Sequence, residues 1–252
     1  NVRRDADGNV RLYYSVWGSD AFGHPDWAMA GDDRRNAVWS IAITANGLFD
    51  ATSVRREFFM PAFWPSVPAM GDKAGNSNPV SDIAFPECGP QNVMLVAERG
   101  ALRNLGLDKT EPFSKPYDSR VIRYELGNDN IWRAKGRYEV GFHDRSIKDG
   151  PPDAYASAAG GAAFGYGLGS DGITDLAAPS KSVWMTGDGL CSADGPCTSA
   201  ASGEHTDSSE VHGLQGSPAD ATTPVDAPGN PDALDQSYMI DTDINIGPDG
   251  EV

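Results

Sequence analysis

Five carboxylates carry the chemistry that this sequence most openly suggests: Asp82, Glu98, Asp175, Asp188 and Asp243. Each stands at a corresponding place in a phrase that returns along the chain. Ser81-Asp82-Ile83-Ala84 leads into Val93-Met94-Leu95-Val96-Ala97-Glu98, and Thr174-Asp175-Leu176-Ala177 into Ser182-Val183-Trp184-Met185-Thr186-Gly187-Asp188. Thr242-Asp243-Ile244-Asn245 leads into Asp249-Gly250-Glu251-Val252. Acidic oxygens brought together from several repeats can hold a hard cation, which takes six to eight oxygen ligands. The same residues have a structural reading: an Asp beside a hydroxyl residue bonds backbone and neighbouring hydroxyls, tying one repeat to the next.

Other constellations are weaker. Gly167-Leu-Gly-Ser-Asp-Gly172 has glycines at dinucleotide-loop spacing, but no helix-forming run follows to supply the anion-binding N-terminus. His24, His143, His205 and His212 are scattered, and no Gly-x-Ser-x-Gly elbow is present. Cys191 and Cys197 bracket a five-residue turn-rich loop that a disulfide could close, which favours an oxidising compartment; Cys88 has no mate nearby. Phe22, Trp27, Phe58, Phe59, Phe63 and Trp64 gather in the first unit and suit packing between repeats or a partner surface.

The elements that must position these groups read as strands. Val10, Val93 and Val183 each begin a short apolar run, and 28 residues after each lies another, at Val38, Val121 and Val211. A fourth run closes each unit, and Gly, Pro, Asn, Asp and Ser separate the runs. The spacing predicts an all-β fold, a β-propeller with four-stranded antiparallel blades. Blade one is expected over 1–62, blade two over 79–142, blade three over 173–241 and the start of blade four over 242–252, with insertions at 61–78, 141–172 and 215–236. The first strands are expected near 81–85 in blade two and 173–177 in blade three. Three blades and a fragment leave apolar faces open, so further chain or another subunit is expected to complete the ring.

Charge narrows the partners. The net charge is −16, and all of the excess falls after residue 148, where Lys181 is the one basic residue. Such a field repels nucleic acid and anionic lipid and suits cations, basic partners or solvation. No apolar run approaches the ~20 residues of a membrane helix.

The run Asn-Pro-Val-Ser-Asp-Ile-Ala-Phe (78–85) followed by Val-Met-Leu-Val-Ala-Glu-Arg-Gly (93–100) resembles blades of six-bladed propellers of the NHL and gluconolactonase (SMP-30) type. Asp243 to Val252 is similar to the inner hairpin of those families. The resemblance implies calcium as the candidate cofactor, held on the ring axis with Glu98, Asp188, Asp82, Asp175 and Asp243 as candidate ligands. The reading that follows is a secreted or cell-surface structural or binding module without catalytic activity, extracellular or periplasmic, working through a protein partner or self-assembly. The alternatives are a calcium-dependent lactonase or esterase and a subunit of an extracellular fibre or surface layer.

Overall fold

The computed structural model describes residues 1–5, 7–16, 35–64, 77–87, 92–101, 114–115, 118–142, 155–190 and 212–243. It is all-β, built on three four-stranded antiparallel sheets, each a simple meander in chain order. Sheet one holds β1 (Val2–Arg4), β2 (Val10–Val16), β3 (Ala37–Ile43) and β4 (Phe49–Phe59). Sheet two begins with β5 (Val80–Ala84) and β6 (Val93–Glu98). A small pair, β7 (Gly100–Ala101) with β8 (Ser114–Lys115), intervenes before β9 (Val121–Leu126) and β10 (Trp132–Tyr138) complete it. Sheet three opens with β11 (Ala158–Gly165), continues into a hairpin of β12 (Gly167–Leu168) and β13 (Thr174–Asp175), and finishes with β14 (Ser182–Gly187), β15 (His212–Pro218) and β16 (Tyr238–Asp243). One short helix, α1 (Pro231–Leu234), starts on Asn230, whose side chain accepts from the Asp232 amide.

Side chains alternate across a strand, so a sheet covered on both faces must be apolar on both. Sheet two meets that condition: every residue of β6 is buried. Met94, Val96, Ile122 and Tyr124 pack with Tyr13, Val38 and Met60 of the first unit. Leu95, Ala97, Val121 and Tyr138 pack with Ala158, Val183 and Met185 of sheet three. The sheets therefore stack face to face in the order one, two, three. Between sheets two and three β5 lies extensively against β11, whereas between sheets one and two β5 packs chiefly on β2, with β4 and β10 also in contact.

The structure corrects the expected third unit. Its first strand is not at 173–177 but at Ala158–Gly165, inside the stretch expected to be an insertion at 141–172. Ala-Ala-Gly-Gly-Ala-Ala-Phe-Gly has little β propensity, but close packing demands small residues there. A Cβ on Gly160 would sit 2.8 Å from Ser81 Oγ, and one on Gly165 2.4 Å from Trp184 Nε1.

The 28-residue offset locates strands but does not fix their register. Val10 pairs with Ile43, Val93 with Glu125 and Val183 with Ser217, so the partner's distance along the chain differs by a residue from sheet to sheet. A slip of one residue turns a side chain to the other face. Val10 accordingly lies on the face opposite Tyr13, away from sheet two, while Val93 shares a face with Leu95, towards sheet three.

The stretch from 219 to 236, expected as part of a loose insertion at 215–236, is docked on sheet two. Gln215 itself belongs to β15.

Candidate functional site

The first-strand edges of sheets one, two and three border two adjoining clefts. One, of about 300 Å³, is lined by Asp82, Phe85, Glu87, Phe164 and Tyr166 among others. The other, of about 510 Å³, is lined by Tyr14, Ser15, Val80 and Ser81 among others. Asn1, Asp82 and Ile83 line both. The seam between the clefts is therefore the Asp82 position, which makes it the centre of the candidate site.

Groups at that seam tie sheets together. The Asp82 carboxylate accepts a hydrogen bond from the Ala162 amide at 3.1 Å, and the Ser81 hydroxyl donates to the Gly160 carbonyl at 2.8 Å. Both partners lie on β11, where the ladder bulges: Ala158 pairs with Gly187 but Ala162 with Met185. Gly160, at φ +99°, sits in the bulge, a conformation that glycine adopts without a side-chain clash. The carbonyls turned out of the ladder are taken up by Ser81 and by the Arg99 guanidinium, which donates to Ala159. One unit earlier Asn1 does the same work, donating from Nδ2 to the Ile83 carbonyl at 3.0 Å. The Ser-Asp phrase of β5 thus performs the structural role set out above, and Asp82 is half-buried at the cleft wall while doing so.

The other candidate ligands go elsewhere. Glu98 is fully buried, facing the first unit, and both carboxylate oxygens are taken by Arg120: Nε at 2.8 Å and Nη2 at 2.7 Å. Nη2 of Arg120 also donates to the Pro61 carbonyl at 3.0 Å, and the guanidinium lies 4.9 Å from the Phe63 ring centroid. Burial pulls the Arg120 guanidinium down, but the Glu98 carboxylate more than offsets that and holds its pKa above the ordinary value. A cation brought to this carboxylate would meet the buried Arg120 charge that already neutralises it.

Asp175 lies on the exposed β12–β13 hairpin, accepting from the Ala177 amide at 2.9 Å, and is not equivalent to Asp82. The equivalence fails because the first strand of sheet three is β11. Asp188 is buried just past β14, its amide donating to the Ser157 carbonyl. Asp243 ends β16, the last strand of sheet three, where its backbone pairs with that of His212; it does not open a fourth unit's first strand. Among the described residues no three His, Cys, Asp or Glu side chains are grouped to hold a metal ion. Cys191 and Cys197 lie outside the described residues, as does Cys88.

A cation does hold the 219–236 segment, and the chain supplies it. Arg137 of β10, fully buried, donates from Nη1 to the carbonyls of Pro224 at 2.7 Å and of Val225 and Ala227 at 2.9 Å. Its backbone exchanges a pair of hydrogen bonds with Thr223. Glu139 accepts from Nη2 of Arg137 at 3.2 Å and from the amides of Asn230 and Tyr155. Gln215 bonds the Gly141 amide and the Glu139 carbonyl. Burial lowers the Arg137 pKa, with Glu139 opposing.

The sequence carried a usable signal for Arg120. Glu98 ends one strand and Arg120 precedes its antiparallel partner, so the two meet across the ladder, where the Glu98 amide donates to the Arg120 carbonyl at 2.8 Å. Opposite charges in directly facing positions attract. Arg137 had no such signal for the segment it holds, because the carbonyls it binds there lie more than 80 residues away. No family model matches this chain, and no curated protein matches it either.

Proposed function

We propose that the chain forms an arc of a β-propeller serving as a structural or binding module outside the cell, without catalytic activity, with cations as candidate ligands. The observation that carries the reading is the stack: three four-stranded meanders, face to face, with the first strands of sheets two and three against each other. Propellers arrange their blades radially in this way, and the fold hosts binding and catalytic proteins alike. The charged groups most deeply buried, Glu98, Arg120, Arg137 and Glu139, all serve to fasten the scaffold. The oxidising, extracellular setting rests on the Cys191 to Cys197 spacing.

A calcium-dependent lactonase is the second reading, and what favours it is Asp82 at the seam of the two clefts. The two separate on one experiment: purified protein is assayed for hydrolysis of aliphatic lactones and aryl esters with calcium or chelator, beside Asp82→Asn. The binding-module reading expects no calcium-dependent turnover. Turnover that needs calcium and disappears in Asp82→Asn would refute it.

A further inference from the structure

Building on the binding-module reading, we infer that the smaller cleft is a site for a small organic cation, an ammonium carried on an apolar body, with Asp82 as its counter-ion. The rings of Phe85, Phe164 and Tyr166 line this space of about 300 Å³ together with aliphatic side chains, and Asp82 and Glu87 supply carboxylates. No Lys, Arg or His is among the described residues that line it. A concave, mainly apolar wall carrying a few polar groups is how proteins build small-molecule sites, and this volume lies at the small end of their range. A space of that size keeps an occupant within about 6 Å of an aromatic ring, the reach of cation–π attraction.

The charge on Asp82 is more than its structural task requires. Its Oδ2 accepts from the Ala162 amide at 3.1 Å, a bond that a neutral amide side chain can accept as well. One unit earlier the neutral Asn1 side chain makes the corresponding tie, to the Ile83 carbonyl. Asp82 is half-buried, and among the described residues its carboxylate forms no salt bridge. Burial pulls the pKa of the nearby Asn1 amine down, with Asp82 opposing, and that amine gives its hydrogen bond to the Tyr13 carbonyl at 2.9 Å. A carboxylate drawn partly out of water without a hydrogen-bonded counter-charge is costly, and a bound cation offsets that cost.

The walls select the kind of cation. Calcium takes six to eight oxygens. This cleft offers the carboxylates of Asp82 and Glu87, one oxygen of which is already engaged, and no three His, Cys, Asp or Glu side chains are grouped for a metal among the described residues. Rings beside a single half-buried carboxylate suit an ammonium instead. Its N–H donates to Oδ1 of Asp82, a charge-assisted bond, while its carbon body lies against the rings.

The test is calorimetric titration of the full chain with benzylammonium, with benzyl alcohol as its neutral counterpart and calcium as the hard cation. It is run in about 0.15 M salt, where the Debye length is ~8 Å and the general field of an acidic chain is screened. Benzylammonium is expected to bind at one site. Benzyl alcohol, and benzylammonium on Asp82→Asn, should each bind about tenfold more weakly or worse, and Tyr166→Ala should cost a few-fold. Asp82→Asn keeps an acceptor for the Ala162 amide, and an unchanged Tm confirms its fold; should it unfold, benzyl alcohol and Tyr166→Ala still decide. Asp175→Asn, which removes the same charge from an exposed hairpin, should leave binding unaltered. Equal affinity for benzyl alcohol, an equal loss in Asp175→Asn, or no binding at all overturns the site. Calcium that displaces benzylammonium and is itself lost in Asp82→Asn overturns it too. Each of these failures leaves the binding-module reading standing, which falls on the calcium-dependent turnover named above.

Discussion

Replacing Glu98 by Gln separates the two roles open to this residue, scaffold anion and metal ligand. The carboxylate and the Arg120 guanidinium are both fully buried and joined through two hydrogen bonds, 2.7 and 2.8 Å. Removing one charge of such a pair costs about 3–5 kcal/mol, because the other is left in the interior uncompensated. Arg120 would keep the carbonyls of Pro61 and Ala62 and the face of Phe63, which places the expected loss near the lower bound. A loss of ~3 kcal/mol in a chain of this size lowers Tm by roughly 6–12 °C. Urea unfolding followed by tryptophan fluorescence, with calcium and with chelator, reads it out. The loss should be the same in both, and Glu98→Leu with Arg120→Met should recover most of it, since an apolar pair of similar volume replaces buried ions at little cost. A loss under ~1 kcal/mol, or one present only with calcium, would refute the ion-pair account and return Glu98 to the metal.

Three further outcomes follow from the same coordinates. Arg137→Met should free the 219–236 segment from sheet two, so that limited proteolysis cuts between Ala219 and Gln236 while the sheets stay protected; unchanged resistance there would show that the three carbonyl contacts are dispensable. Gly216→Ala should destabilise by about 1–3 kcal/mol, since its Cβ would lie 2.2 Å from the Tyr238 ring, and a Tm within a degree of the parent protein would contradict that packing. Burial pushes the Tyr138 phenol up to about 12, against Arg123, while it donates to the Ala219 carbonyl at 2.7 Å. The folded state therefore holds this proton after the unfolded chain has begun to release it. Its contribution is whole below pH ~10 and is lost as pH rises towards ~12. Absorbance titration of wild type against Tyr138→Phe should show the missing phenol as a late-ionising one, and a difference spectrum centred near 10 would rule it out.

Much of the strand framework was legible because its cause is local. Runs such as Val-Met-Leu-Val-Ala-Glu and Val-Ile-Arg-Tyr-Glu-Leu announce strands through β-branched and aromatic residues, and Asn1 to Val10 and Thr44 to Phe49 announce turns through Asp-Gly and Asn-Gly. The candidate site was legible only in part. Asp82 stands where the repeat placed it, but Asp175 was matched by phrase to a strand that β11 occupies, and Asp243 to the first strand of a fourth unit although it ends the last strand of sheet three; phrase matching cannot see a strand made of Ala and Gly. Such a strand is specified by what approaches it, Ser81, Arg99 and Trp184, and those approaches span up to 79 residues.

The sequence by itself determined that this is an antiparallel β protein of repeated meanders, with an acidic final two-fifths, since alternation, turn residues and charge are properties of neighbours in the chain. Only the tertiary structure decided which way each side chain faces and what each buried charge meets. A one-residue difference in pairing reverses a strand's faces, and a carboxylate becomes a ligand or an ion-pair partner according to which group reaches it first through space. Glu98 met Arg120, and the 219–236 segment met Arg137.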